Sequence, residues 1–447
     1  MTKIGLEVHV QLEDCASKLF CSCSTKKAKK PNTNTCPICL GMPGSKPVLN
    51  KKAVLSALKT ALAIKCKVNP EYFFSRKTYF FPDLAKNFQI TQFETPIGVS
   101  GKFMDVDIKR IHLEEDPASL IHEGNHVLVD YNRSGIPLIE VVTEPQIKSA
   151  RDARIFVQEL TTLMEYLGVY TKKSEASLRC DVNVSVGKGA RVEIKNIGGA
   201  YDVEHALLYE IRLQEKSPAK VQQTKGWDGK KTYVQREKEL EEDYGYIIEP
   251  DIPKVVVSDA DIKRLSSEIP TLASDRINFY VEKYKVSKED ARAIVSSKDV
   301  SDLFESVAKE VEPRFAAKWI RRELSRVLKY KKLDLKDTNI TAKHLVDLLK
   351  AIENKVITAQ VGQKIMEDLV KKPFDINARV KGYGRIDNQK DLENICKKVI
   401  KNNPKVVEDF KRGEAKALNF LIGQVMRETK GAAEPSSVAR VLKENMA

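Results

Sequence analysis

The spacing of apolar residues changes once along this chain, and the change divides it. Up to about residue 253 apolar residues alternate with polar ones or cluster in short β-branched runs, as in IGLEVHVQL, KRIHLEED, HVLVDYNRSGIPLIEVVTEP, SLRCDVNVSV and ARVEIKN. A period of two marks strands, whose successive side chains point to opposite faces. Two stretches in this region carry the helical period instead. They are KKAVLSALKTALAI and SARDARIFVQELTTLMEYLG, the second opening on the cap candidate Ser149 and closing on Gly168. After residue 253 the pattern becomes that of amphipathic helices, among them SDRINFYVEKY, SKEDARAIVSS, ITAKHLVDLLKAIENK and ITAQVGQKIMEDLVKK. The expectation is an α+β protein: a mostly antiparallel sheet with covering helices over 1–253, then an all-α domain over 254–370. Beyond the Pro- and Gly-punctuated segment PFDINARVKGYGRID, a last helical unit is expected over 371–447.

At 447 residues the chain exceeds one ordinary core, which agrees with two or three domains. No apolar run approaches the roughly 20 residues that span a bilayer. MTKIGLEVHV has neither the apolar stretch of a signal peptide nor the make-up of a transit helix, so no membrane segment and a cytoplasmic location are expected. The formal charge of +14 points to a polyanionic partner. Residues 371–447 hold 17 Lys and Arg against 10 Asp and Glu, which places half of that excess in the last sixth of the chain.

The stretch CSCSTKKAKKPNTNTCPIC sets Cys21 and Cys23 one residue apart, then Cys36 and Cys39 after a basic loop. Two short turns can bring four thiolates onto one tetrahedral cation, and an all-sulfur site suits zinc. Four protein ligands leave no position for water, so the site is expected to be structural; the alternative is four unliganded thiols on a loop. Cys15, Cys66, Cys180 and Cys396 are scattered singly and read as packing thiols.

The acidic residues fall on strand patterns. Glu7 and His9 share a face of IGLEVHV, and Arg179, Asp181 and Asn183 share a face of SLRCDVNVSV. Glu193 and Lys195 do the same in RVEIKN, while HLEEDPAS supplies Glu114, Glu115 and Asp116, and IIEPD supplies Glu249 and Asp251. A merely solvated sheet face would favour Lys, Thr and Ser. Repeated Glu, Asp, His and Asn instead suit a magnesium–nucleotide site, with oxygen ligands for a hard cation and basic groups for phosphate. The chain has no GxxxxGK[ST] loop, no GxGxxG fingerprint and no HExxH, so a nucleotide site here must be built on the sheet. No serine-amidase signature is visible.

GLEVHVQL, SRKTYFFPDLAKNFQITQF, HLEEDPAS, DYNRSGIPLIEVVTEP, SLRCDVNVSV, VEIKN, EPDIP and FLIGQVMRETKGAAEP together resemble the B subunit of the tRNA-dependent amidotransferases, the GatB family. The resemblance runs through essentially the whole chain. It implies a glutamine-synthetase-like antiparallel cradle, a helical domain and a helical YqeY-like tail. It also implies ATP-dependent phosphorylation of the side-chain carboxylate of Glu-tRNA(Gln) or Asp-tRNA(Asn), then amidation by ammonia channelled from a glutaminase A subunit, with a small C subunit completing the assembly.

On this resemblance Glu7, His9 and Glu114 are first candidates to hold magnesium, with Glu115, Asp181, Asn183 and Glu193 nearby. Arg179 and Lys195 are candidates for phosphate or carboxylate contact, and Lys77, Tyr79, Asp83 and Gln89 for the channel mouth. In the tail Leu418, Leu421, Ile422 and Val425 form an apolar helix face, Gly431 is a helix stop, and Lys416, Arg427 and Lys430 remain for RNA phosphate. The chain departs from the family pattern at Gln223 and Lys225, where Glu and Arg are usual, at Ile247 and Ile248, and at Gly198 and Gly199. The alternatives are a zinc-knuckle tRNA-binding scaffold without catalysis and the Glu-tRNA(Gln)-specific E-type paralogue. The latter needs an inserted domain for which the passage from cradle to helices leaves no room.

Overall fold

The structure is a computed structural model that describes residues 2–171, 178–237, 245–381, 389–429 and 431–446. The chain divides into two compact units, Met1–Leu272 and Ala273–Ala447. The first unit begins β1 (Thr2–Gln11), α1 (Lys51–Ala63), β2 (Lys67–Val68), β3 (Glu71–Tyr72), β4 (Ser75–Thr78), β5 (Phe88–Thr91), β6 (Gly98–Phe103) and β7 (Val106–Glu115). It continues β8 (Ser119–Glu123), β9 (His126–Asp130), β10 (Pro137–Thr143), α2 (Ala150–Leu167), β11 (Leu178–Val186), β12 (Val192–Gly198) and α3 (Gly199–Lys216). It ends with β13 (Gln223–Trp227), β14 (Thr232–Glu237), β15 (Gly245–Ile248), β16 (Val255–Val256) and α4 (Asp259–Ser267).

Nine strands form one sheet in the order β14-β13-β12-β11-β1-β10-β7-β6-β2. Its pairings are antiparallel except that of β12 with β13, where α3 supplies the crossover that parallel pairing requires. A separate three-stranded sheet, β15-β4-β5, contributes to the same unit. One face of the large sheet is apolar: Ile4, Leu6, Val8 and Val10 on β1, Ile111 and Leu113 on β7, Ile139 and Val141 on β10, and Cys180, Val182 and Val184 on β11 are all buried. They join Ala57 and Leu58 of α1, Phe156 and Leu160 of α2, and Val203 and Leu207 of α3 in one core. Each large apolar side chain removed from water there contributes on the order of 2 kcal/mol. Cys180 is thus a core thiol, its pKa pushed up by burial.

The ends of the covering helices follow local chemistry. Asn50 accepts the N–H groups of Lys52 and Ala53 at the start of α1, Ser149 accepts that of Asp152 in α2, and Gly168 closes α2 at φ 74°. Helix α3 is not among the stretches marked by periodicity. Tyr201, Leu208 and Leu213 stay exposed on its outer side, so apolar residues lie all round it and the contrast between faces is weak.

The second unit is helical: α5 (Ala273–Glu282), α6 (Lys288–Val295), α7 (Lys298–Val307), α8 (Pro313–Trp319), a π-helical turn (Ile320–Leu324), α9 (Ser325–Lys331), α10 (Ala342–Glu353) and α11 (Ala359–Lys371). It closes with α12 (Ile376–Val380), α13 (Gln389–Asn402), α14 (Pro404–Lys411), α15 (Ala415–Glu428) and α16 (Pro435–Met446). Leu421 and Val425 of α15 are buried in a cluster with Leu392, Cys396, Val438 and Leu442, and Leu418 and Ile422 pack against it, as the apolar face required. Gly431 sits at φ 87° just beyond α15. Among the described residues no helix is long and apolar enough to cross a membrane.

Candidate functional site

The polar face of the sheet is organised by register. Glu140 on β10 lies opposite both His112 on β7 and His9 on β1, and His9 lies opposite Arg179 on β11. Directly opposed residues share a face, so these four make one row. Two residues along each strand, a parallel row runs Arg110, Val142, Glu7 and Asp181; on the other side of the first row lie Glu114, Leu138 and Gln11. With Lys77, Gln89, Gln92, Phe93, Lys195, Asn196 and Tyr246, these rows, Val142 apart, line a cavity of about 200 Å³.

Two acidic clusters stand in it. In the first, His9 Nε2 is 3.3 Å from Glu140 Oε2 and 3.8 Å from Glu114 Oε1, and His112 Nε2 is 3.3 Å from the same Glu140 oxygen. Thr91 Oγ1 donates to Glu114 Oε2 at 3.2 Å. Burial works against a charged His9 ring, yet the carboxylates of Glu140, Asp181 and Glu114 outweigh it and hold its pKa at about 10. Burial likewise works against the Glu140 carboxylate, and the two histidines hold it well below the usual range.

The second cluster is Glu7, Asp181 and Glu193. Asn183 donates to Glu7 at 3.1 Å, and Lys195 Nζ reaches Asp181 at 3.0 Å and Glu193 at 2.8 Å. Asn196 adopts φ 57° and donates its backbone N–H to Asp181 at 2.7 Å, beside a register shift between β11 and β12. The strained backbone therefore aims a donor at the carboxylate. Burial and the neighbouring Glu140, Asp181 and Glu193 push Glu7 up to about 7. Half-buried Lys195 is held above its ordinary value, against the effect of burial, by Asp181, Glu193 and Glu7.

One ligand atom from each of His9, Glu114 and Glu140 lies within 4.8 Å of the others, and the same holds for Glu7, Asp181 and Glu193. The first group fits a divalent cation once His9 gives up its ring proton: Glu114 and Glu140 then converge with a neutral imidazole nitrogen, and no lysine stands among them. The second is already partly neutralised by Lys195, whose ammonium a metal would have to displace. Three residues expected to act together, Glu7, His9 and Glu114, are therefore divided between two clusters.

The cysteine loop satisfies the requirements of a closed zinc site. The sulfurs of Cys21, Cys23, Cys36 and Cys39 all lie within 4.8 Å of one another. Cys39 Sγ accepts the Cys36 backbone N–H at 3.2 Å and lies 3.6 Å from Nζ of fully buried Lys18. The bond from Cys21 lowers the Cys39 pKa to about 4 against the effect of burial, with help from Cys36 and Lys18. Gly135, at φ 86°, lets the backbone pass close to Lys18, Cys39 and Glu115.

Glu115 points away from the cavity. It accepts the Ile90 N–H at 2.9 Å and Lys86 at 2.7 Å, and lines a second, smaller cavity with Cys21 and Cys39. The alternation that separates it from Glu114 is that of the strand itself. Lys77, Tyr79 and Asp83 line a broader cleft that shares Lys77, Arg179, Lys195 and Asn196 with the first cavity. Gln89 is buried and donates to the Glu115 carbonyl. Lys416 and Arg427 are exposed on α15; Lys430 lies outside the described residues.

Glu140, His112, Arg110 and Gln92 were not singled out from the sequence. Glu140 is the one acid in the otherwise apolar or hydroxyl-bearing run PLIEVVT, where a buried charge needs a partner, and His112 precedes Glu114 and Asp116 at strand spacing.

A buried acidic cleft on the polar face of a largely antiparallel sheet, its carboxylates standing beside basic groups, is the arrangement of an enzyme domain that handles anionic substrates. A family model described as the GatB/GatE catalytic domain matches residues 2–263, and one described as the GatB domain matches residues 302–446. Among curated relatives, the B subunit of the aspartyl/glutamyl-tRNA(Asn/Gln) amidotransferase of Methanocaldococcus jannaschii is 42% identical, covering 99% of this chain and 98% of its own. That of Methanobrevibacter smithii is 40% identical over 99% of both chains, and that of Thermotoga maritima 39% identical over 98% and 97%. The chain belongs to the GatB family.

Proposed function

We propose that this chain works as the B subunit of an amidotransferase that converts Glu-tRNA(Gln), Asp-tRNA(Asn) or both into the amide-bearing aminoacyl-tRNA, in the cytoplasm and together with a glutaminase A subunit and a C subunit. The observation that carries the reading is one sheet face on which Glu7, Glu114, Glu140 and Asp181 share a cavity with Arg110, Arg179 and Lys195. A carboxylate is a poor acyl donor at neutral pH. Transfer of the terminal phosphoryl group of ATP to its oxygen releases ADP and leaves an acyl phosphate. Ammonia then attacks the acyl carbon, the bond to phosphate breaks, and amide, phosphate and a proton result.

His9, Glu114 and Glu140 would hold magnesium, which when bound neutralises charge on the transferring phosphoryl group. Arg179 and Lys195 orient phosphate or carboxylate oxygens, and Asn183 and Asn196 fix Glu7 and Asp181. Lys77, Tyr79 and Asp83, in the adjoining cleft, stand where ammonia would arrive, with Gln89 behind them. The cysteine cluster takes structural zinc. Residues 1–253 would act as the catalytic cradle, 254–370 as a helical support, and 371–447 as the tRNA-binding tail. A non-catalytic RNA-binding scaffold has no use for these acids, which repel phosphate unless a cation intervenes.

In the complex assembled with its A and C partners, Glu114→Gln and Glu140→Gln are expected to lower amidation of mischarged tRNA by about two orders of magnitude or more, while tRNA affinity stays within about twofold. Wild-type turnover by both variants would remove the cation site from the reaction.

A further inference from the structure

Arg110 lies on the opposite side of the His112–Glu140–His9 row from Glu114. Arg110 stands on β7 two residues from His112 and on the same face. Among the described residues its buried Nε has no hydrogen-bond partner, and no carboxylate pairs with its guanidinium. Gln92, 1% exposed, accepts the Leu113 N–H through Oε1 at 2.9 Å, which fixes the amide and leaves Nε2 buried without a partner. His112, 3% exposed, turns Nε2 to Glu114 and Glu140, and its Nδ1 is also unpartnered. All three residues line the same cavity.

Three buried polar groups, two of them obligate donors, converge beside a carboxylate cluster that itself leaves Arg110 unpaired. A buried donor without an acceptor costs free energy, and a guanidinium is built to fork onto an oxyanion. Strand rise sets Arg110 and His112 about 7 Å apart along β7. An anion bridging a cation at about 2.1 Å and a guanidinium at about 2.9 Å spans such a gap. A side-chain carboxylate, with two oxygens on one carbon, spans such a gap only end to end; a phosphate chain offers several oxygens on successive phosphorus atoms and covers both ends with oxygens to spare.

We propose that Arg110 and Gln92 bind the phosphate chain of the nucleoside triphosphate, on the side of the His9–Glu114–Glu140 cluster away from Asp116. This rests on the reading that the chain uses ATP. Arg110 supplies the fork and Gln92 Nε2 a single neutral donor, while His112 holds the acids that face them.

The test measures ATP binding at equilibrium by the full-length chain with magnesium, alongside thermal midpoints. Arg110→Gln is expected to weaken ATP at least tenfold, and Arg110→Lys less, because an ammonium keeps the charge and loses the fork. Gln92→Glu keeps the shape and the Leu113 bond but turns a donor into a charged acceptor, and is expected to weaken ATP similarly. Unchanged ATP affinity in Arg110→Gln and Gln92→Glu overturns the proposal. A raised KM for the aminoacyl-tRNA in those variants would then assign Arg110 to the substrate carboxylate. Absence of ATP binding by the wild-type chain overturns the underlying reading and the proposal with it.

Discussion

Glu140 and Glu7 show how differently one carboxylate behaves in two places on the same face. Two histidines flank Glu140 and hold its pKa well below the usual range, whereas burial, with three neighbouring acids, pushes that of Glu7 to about 7. Neither outcome is visible in the local sequence, because the partners come from other strands. In the helical unit Asp290 behaves like Glu140. Burial would raise its pKa, but Arg321, 2.7 Å away, and Ser287 lower it instead. A depressed carboxylate pKa contributes stability above the unfolded value of about 3.9 and loses it as pH falls through the folded value. Asp290→Asn is therefore expected to cost about 1–2 kcal/mol at pH 7, and the gap to wild type should narrow as pH falls below about 4. Urea unfolding at pH 7 and pH 3.5 checks this; an equal gap at both pH values would refute it.

At the level of elements, Gln223 opens β13 and Lys225 follows two residues on. Lys225 Nζ lies 2.9 and 3.1 Å from the two carboxylate oxygens of fully buried Glu210 on α3, and Thr232 of β14 donates to one of them at 2.7 Å. A lysine therefore satisfies the position as a point charge between two oxygens, tying the hairpin to the helix that covers the sheet. Ile247 and Ile248 stay exposed on β15, while Glu249 is buried and takes both Nε and Nη2 of Arg76. Helix α15 buries Leu421 and Val425 and leaves Lys416 and Arg427 exposed, eleven residues or about three turns apart and so on the same side. The double variant Lys416→Glu, Arg427→Glu is expected to weaken tRNA binding about tenfold or more and to flatten its dependence on salt. Filter binding across a salt series measures both, and an unaltered slope would exclude α15 from the RNA contact.

For the whole molecule, the cysteine loop joins distant parts of the first unit. Lys18 N–H donates to the Cys23 carbonyl, Leu19 N–H to that of Gly135, and Asn50 N–H back to that of Leu19, so the four sulfurs stand between β1 and α1. Cys36→Ser is expected to lose zinc and lower the thermal midpoint by several degrees, with ATP affinity at low temperature little changed. Zinc content by mass spectrometry and a thermal melt decide it; full zinc retention would remove Cys36 from the ligand set.

The strands, α1, α2, the tail's apolar face and the paired cysteines were legible because each is a local matter of period, cap or spacing, and the polar sheet residues were legible as a set for the same reason. Their grouping was not. Helix α3 escaped notice because its two faces are alike, and Glu115 was grouped with Glu114 although alternation sends it to the opposite side. By itself the sequence determined the alternation that sends one set of strand residues to the core and the other to the polar face, and the family to which the chain belongs. Only the tertiary structure decided that Glu140 and His112 complete the His9 cluster, that Glu7 joins Asp181 and Glu193 around Lys195, and that, among the described residues, the buried Nε of Arg110 has no partner. Those facts depend on the register between strands far apart in the chain, and register is set by the packing of the whole sheet.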